Sequence, residues 1–512
     1  MSSEIRSNNK RILKNTGYLY VQQILVLFVS LYTVRVVLNT LGVEDYGIFN
    51  VVGGVVSMFG FLQGMLVSAV QRFFAYELGR NNYDRLNQYF NTSLWCFGII
   101  ALIIVTLAET IGLWFINTQL IIPQDRIGAA QWVFHLSVLS FVFNLLMTPF
   151  NSIIIARERM KVYAFVGMAD VVLKLLIVFA LTLFSFDKLQ LYAILLCLLS
   201  FVHALFYIIY SHAKFQETRI TGYCNRGIMK EVMSYCGWSL FGSLSSVIRS
   251  QGLNMLINMF FNPAVNAARG IAYQVNSVVN MFVTNFSTAF RPQITKQYAA
   301  GERDSMMHLV FRSTRMCYYL VLFFFVPITL ETHYILQLWL GEIPEYTVVF
   351  VRLVLLIALV ESIGNPIMAT IQATGNIKWY QTIVGGLLLL NLPISYVLLR
   401  SGYPPQSTMA AGVVIAFASH IVRIFFMHKQ VNMSIRAYVK GPMLTIFFVT
   451  LCVIVVPYLL HTILEEGLLR FLLVGVTSVS FSALSIYYIG LTNSERLFFR
   501  EMILSKLSKY KQ

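Results

Sequence analysis

Apolar runs of about 20 residues recur along the whole chain, separated by short polar stretches, and each run is long enough to cross the hydrocarbon core of a bilayer as a helix. Fourteen such runs stand out, near 16–38, 46–69, 91–115, 128–150, 163–184, 190–211, 233–258, 264–290, 307–329, 346–372, 379–399, 407–428, 441–460 and 467–490. Only a helix or a closed barrel satisfies its own backbone in lipid, and runs of this length are helical. The pattern therefore predicts an all-α polytopic membrane protein with about fourteen transmembrane helices. The longest connection is about 20 residues, which leaves no room for a separate soluble domain.

Composition agrees: of 512 residues, 57% are hydrophobic and 12% charged. A net charge of +16 raises the question of nucleic acid, and the position of the charges decides against it. Of the 38 Lys and Arg, 26 fall in the N-tail, the even-numbered connections and the C-tail; three (Arg126, Lys188, Arg400) fall in odd-numbered connections and nine within the runs, among them Arg470 at the outer start of the fourteenth. This is the positive-inside pattern, and it places both termini in the cytoplasm. The first apolar run is too long for a signal peptide and is expected to stay as the first span. Four of the six Cys lie in apolar runs and the other two lack metal spacing, so neither a disulfide framework nor a metal site is expected.

A repeat is legible. The connection after the second run reads AVQRFFAYELGRNNYDRL (69–86), and that after the eighth reads AFRPQITKQYAAGERDSM (289–306). Arg72 and Arg291 are 219 residues apart, an offset that also lays the first span on the seventh and the second on the eighth. The expected organisation is a cytoplasmic N-tail (1–15), a six-helix lobe (16–214), a cytoplasmic linker (215–232), a second six-helix lobe (233–430) related to the first by pseudo-two-fold symmetry, two extra helices (431–490) and a cytoplasmic amphipathic tail (491–512). A cleft between the lobes is the natural substrate path. The segments 151–164 and 494–511 mix basic and large apolar residues at helical spacing, which suits helices lying on an anionic leaflet.

Charges inside the spans are the candidate chemistry. Apart from Arg312 and Arg315 in the first half of the ninth run and Arg470 at the start of the fourteenth, six are basic: Arg35, Lys174, Arg249, Arg269, Arg352 and Arg423. Arg352 and Arg423 are near enough to span ends to snorkel; Arg35 and Arg269 either snorkel outward or face the path. Lys174 follows Asp170 by four residues, so an internal ion pair competes with a substrate contact. Arg249 is roughly 12 Å or more from either surface at about 1.5 Å per residue, and it must meet water, a partner or an anionic ligand. Three acids lie within spans, Glu109, Asp170 and Glu361. Glu361, beside Gly364, Asn365 and Pro366, is open to three roles: a coupling proton, a pair with an in-span Arg, or a structural hydrogen bond. The basic excess suits an anion, and guanidinium matches a phosphate or diphosphate.

From Leu31 to Phe59 the chain reads LYTVRVVLNTLGVEDYGIFNVVGGVVSMF, followed by Gln71-Arg72, Gly79 and, after the fourth span, IARERMKVYA. On these residues and the span count, the whole chain resembles the Wzx-type polysaccharide (O-antigen or capsule repeat-unit) flippases of the multidrug/oligosaccharidyl-lipid/polysaccharide exporter superfamily. The resemblance implies a transporter, needing no cofactor, that moves an undecaprenyl-diphosphate-linked oligosaccharide across the bacterial cytoplasmic (inner) membrane by alternating access, alongside other polysaccharide-assembly proteins. It implies that Arg35, Arg249 and Arg269 meet the diphosphate or an acidic sugar, with Lys174 as a deeper contact. The alternatives are a cation-coupled multidrug extruder of the same superfamily and a polysaccharide polymerase or ligase. Extruders depend on membrane carboxylates, which are outnumbered here. An enzyme usually carries a large external loop, and the longest odd-numbered connection, 331–346, is about 16 residues with neither a DxD motif nor a His/Asp cluster.

Overall fold

The computed structural model describes residues 3–57, 59–118, 122–181, 183, 186–261, 263–497 and 500. Among them every regular element is helical. Ten segments are long and apolar enough to cross a membrane: α3 (Tyr83–Thr118), α4 (Gln124–Ala156), α5 (Met160–Ala180), α6 (Lys188–Lys214), α9 (Arg303–Leu330), α10 (Thr347–Thr374), α11 (Lys378–Arg400), α12 (Gln406–Val431), α13 (Ile435–Ile463) and α14 (Leu468–Gly490). The remaining long helices are α1 (Ser3–Ser57), α2 (Gly60–Gly79), α7 (Arg226–Phe260) and α8 (Pro263–Ala299). Within α1 the helix breaks at Gly42, whose φ of 82° is open to glycine and strained for other residues. The break leaves helical stretches 3–41 and 43–57, which with α2 and the other twelve helices are consistent, among the described residues, with the expected count of about fourteen spans.

The four helices outside the strongly apolar ten are the ones the sequence repeat pairs. Their interiors carry amides and guanidiniums: Arg249, Gln251, Asn254 and Asn258 on α7, and Asn266, Arg269, Gln274, Asn276 and Asn280 on α8. Such residues are costly toward lipid and are tolerated where they meet polar partners or water.

The chain divides into two compact units, Leu13–Leu240, and Phe241–Gln512 with Met1–Ile12. In the first, α4 packs on α6, and α2 packs on the last turns of α4. In the second, α10 is central, packed on α8, α9 and α12, while α13 and α14 pack on each other and on α9. Two turns correspond in chain order. The turn after α2 has Asn81 at φ 54° and that after α8 has Gly301 at φ 79°; the turn after α4 has Glu158 at φ 59° and that after α10 has Gly375 at φ 79°. A left-handed residue ends a helix tightly and allows the next to start at once.

One expectation is corrected. Segment 151–164 does not lie on a leaflet: α4 continues to Ala156, Ile153, Ile154 and Ala156 are fully buried, and Asn15 donates to the Glu158 carbonyl at 3.2 Å. Its apolar residues are core because the chain reverses at Glu158 instead of running along the surface. The amphipathic tail is described only through 497, plus residue 500, and the rest lies outside the described residues. Its first turn is fixed by buried Glu495, which accepts from Arg315 at 2.9 Å and faces Arg312 at 3.4 Å.

Candidate functional site

In the second unit, α7 is held against α11 by close approaches. A Cβ built on Gly252 would come 2.6 Å from Leu392 Cδ2, and one on Gly242 would come 2.1 Å from Gln381 Oε1. Further along, α7 presents Arg249 to Glu361 of α10, with Nη1 3.7 Å from the carboxylate. That is an ion pair beyond hydrogen-bond length, and the Glu361 side chain is 37% exposed. Arg249 therefore has a charged partner without being saturated by it. Of the three roles open to Glu361, the arrangement contains the pair with an in-span arginine.

One turn along, Arg269 of α8 points back at α7. It donates through Nη1 to Asn254 Oδ1 and through Nη2 to the Ser250 carbonyl at 3.3 Å. Its guanidinium lies 4.5 Å from the ring centre of Tyr273, four residues on. Arg269 is 2% exposed, and its Nε is buried with no partner among the described residues. It does not snorkel: its two terminal nitrogens donate to α7. Thus α7, α8 and α10 bring two guanidiniums and one carboxylate together inside this unit, leaving one positive charge in excess.

Arg423 of α12 does not snorkel either. Its guanidinium lies over Gly364 of α10, where an added Cβ would come 2.2 Å from Nη1. Gly364 is ten residues from the end of α10, about 15 Å, so that charge sits at depth because a glycine makes room for it. Arg352 is exposed, and its Nε donates to the Thr329 carbonyl at 3.0 Å.

In the first unit, Lys174 and Asp170 form the i,i+4 pair that their spacing allows, at 2.8 Å. Asp170 also faces His203 of α6 at 3.4 Å. The Lys174 side chain is 46% exposed and the His203 side chain 13%. Arg35 belongs to α1, and its side chain lies outside the described residues.

Sequence reasoning missed Asn254, Tyr273 and His203. Tyr273 was available from the i,i+4 rule applied to Arg269. Asn254 and His203 come from neighbouring helices, and no spacing announces them.

The family model MatE matches residues 239–397, which include Arg249, Arg269 and Glu361. A multidrug-resistance MATE-family transporter of the MOP superfamily, in an outward-facing conformation, superposes with a TM-score of 0.71 at 14% identity, over 84% of this chain and 97% of that one. The fold is that of the MATE transporters. A MOP-superfamily transporter from Pyrococcus furiosus, for which reverse polarity of the binding pocket suggests a different function, shares this MATE fold with a TM-score of 0.67 at 14% identity, over 86% of this chain and 99% of that one. The uncharacterized membrane protein EpsK of Bacillus subtilis (strain 168) is 23% identical over 158 residues, 31% of this chain and 31% of EpsK. That match spans about a third of EpsK.

Proposed function

We propose that this chain is a MATE-fold carrier that moves an anionic amphiphile, an undecaprenyl-diphosphate-linked oligosaccharide, from the cytoplasmic to the outer leaflet of a bacterial cytoplasmic membrane, in the service of O-antigen, capsule or exopolysaccharide assembly. The observation that carries the reading is the net positive cluster of Arg249, Arg269 and Glu361 on helices α7, α8 and α10. A diphosphate headgroup is prohibitively costly to pass through hydrocarbon, and fixed guanidiniums offset its dehydration. In this reading Glu361 is the resident counter-anion of Arg249. The incoming diphosphate displaces it, and it returns when the headgroup leaves. The 3.7 Å separation makes such an exchange cheap, since a loose, partly exposed pair is worth less than about 1 kcal/mol. Lys174 and the undescribed side chain of Arg35 are further candidate contacts, and the polyprenyl tail stays in lipid.

A cation-coupled multidrug extruder is the second reading. Glu361 favours it, as a partly exposed carboxylate within an apolar span. Translocation of a fluorescent polyprenyl-diphosphate oligosaccharide in proteoliposomes separates the two. The carrier reading expects loss of translocation in Arg249→Ala, by about tenfold or more, and tighter substrate binding in Glu361→Gln, which keeps the shape and removes the competitor. Uptake of a cationic dye without lipid translocation, abolished by Glu361→Gln, would establish the extruder instead.

A further inference from the structure

At the end of the second unit where the Arg- and Lys-rich connections lie, a groove of about 940 Å³ opens between α11 and α12. Its wall is apolar and outward-facing: Trp379 and Ile383 on α11, Ile421 and Phe425 on α12, exposed by 61, 43, 67 and 58%. Its floor is polar and fixed. Thr374 donates to Gln430 Oε1 at 2.9 Å, and Gln430 Nε2 donates to the Asn376 carbonyl at 3.0 Å, tying the α10–α11 turn to the last turn of α12. Lys429 stands on the rim, and the neighbouring Lys378 holds its ammonium 5.7 Å from the Trp379 ring. No acidic residue lines this groove.

An ordinary lipid-facing surface explains the four large apolar side chains. It does not explain a hydrogen-bonded polar floor and a basic rim at their headgroup end. A ligand that matches both parts has an anionic head and an apolar tail. Basic pockets between helix ends on the positively charged side of a membrane protein take anionic lipid headgroups in this way. We infer that the groove is a binding site for one anionic glycerophospholipid of the surrounding bilayer, its phosphate at Lys429 and Lys378 and its acyl chains along Trp379, Ile383, Ile421 and Phe425. The site is separate from the Arg249 cluster and makes no claim on the transported substrate.

The test uses the full-length protein in detergent with phosphatidylglycerol as the probe and phosphatidylcholine as the reference, read by native mass spectrometry. One phosphatidylglycerol is expected to be retained in preference to phosphatidylcholine. Lys429→Glu is expected to weaken that retention by about tenfold, and Lys440→Glu, a basic residue outside the groove, to leave it unchanged. Equal retention of the two lipids, or undiminished retention in Lys429→Glu, overturns the inference. Location is read independently by fluorescence quenching with a bromine-labelled phosphatidylglycerol. The component lost in Trp379→Phe is expected to be quenched in the parent and to escape quenching in Lys429→Glu, whose melting temperature without added lipid reports that it is folded. Quenching of that component by brominated phosphatidylcholine to the same extent also overturns it. Lipid translocation that persists in Lys429→Glu leaves the carrier reading intact, so the two proposals fail separately.

Discussion

Asp187 precedes α6, caps it by accepting from the backbone N–H of Leu189 and Gln190 at 3.0 and 3.1 Å, and shares Arg126 with Asp45. Burial works against its charge, but the Gln190 N–H and the Arg126 guanidinium outweigh that and hold its carboxyl below the usual range. A depressed carboxyl stabilises the fold fully above its unfolded value and loses that contribution as pH falls through the folded one. Asp187→Asn keeps an equally good cap and removes the charge. The variant is therefore expected to melt lower than the parent at pH 7, by about 1 kcal/mol, with the gap closing below about pH 5. A gap that stays constant down to pH 3 would show that the charge contributes nothing. This cluster was invisible in the sequence, because Asp45, Arg126 and Asp187 come from three separate connections. The same applies to the candidate site. Lys174–Asp170 was legible because a helix fixes which residues are neighbours, whereas Arg249 and Glu361 are 112 residues apart and the pattern left the in-span arginine that Glu361 could meet unnamed.

Hydropathy located the helices well and their ends poorly. α3 runs from Tyr83 to Thr118 against an expected 91–115, and α7 starts at Arg226 instead of 233. Polar residues beyond the bilayer keep the helical hydrogen-bond ladder going, and a hydropathy window cannot see that. Gly364 stood in the sequence only as a neighbour of Glu361, yet it has helical neighbours on both sides and makes room for Arg423. This makes a prediction about two elements together. Gly364→Ala places a methyl group against Arg423 Nη1, the far end of a flexible side chain that must shift, and is expected to destabilise the unit by about 1 kcal/mol, the low end for over-packed positions. Arg423→Ala removes the clashing group, so the double variant is expected to melt higher than the sum of the single effects predicts, by an interaction of about 0.5–1 kcal/mol. Strict additivity would show that the guanidinium does not rest on α10.

Over the whole chain, the distribution of charge predicts an orientation that the helices alone do not. Asn376 lies between α10 and α11 and Ser401 between α11 and α12, and both are exposed. Neighbouring connections of a polytopic chain lie on opposite sides of the membrane, and the excess of Lys and Arg in the even-numbered ones assigns Asn376 to the cytoplasm. In a cysteine-free background, an impermeant maleimide applied to intact cells is expected to label Ser401→Cys and to reach Asn376→Cys only after permeabilisation. The reverse result would turn the molecule over. It would set the α11–α12 groove in the outer leaflet, and it would require the Arg249 cluster to receive its substrate from the opposite side, which is incompatible with the export proposed above. This one measurement thus ties the charge asymmetry of the loops to the direction of transport.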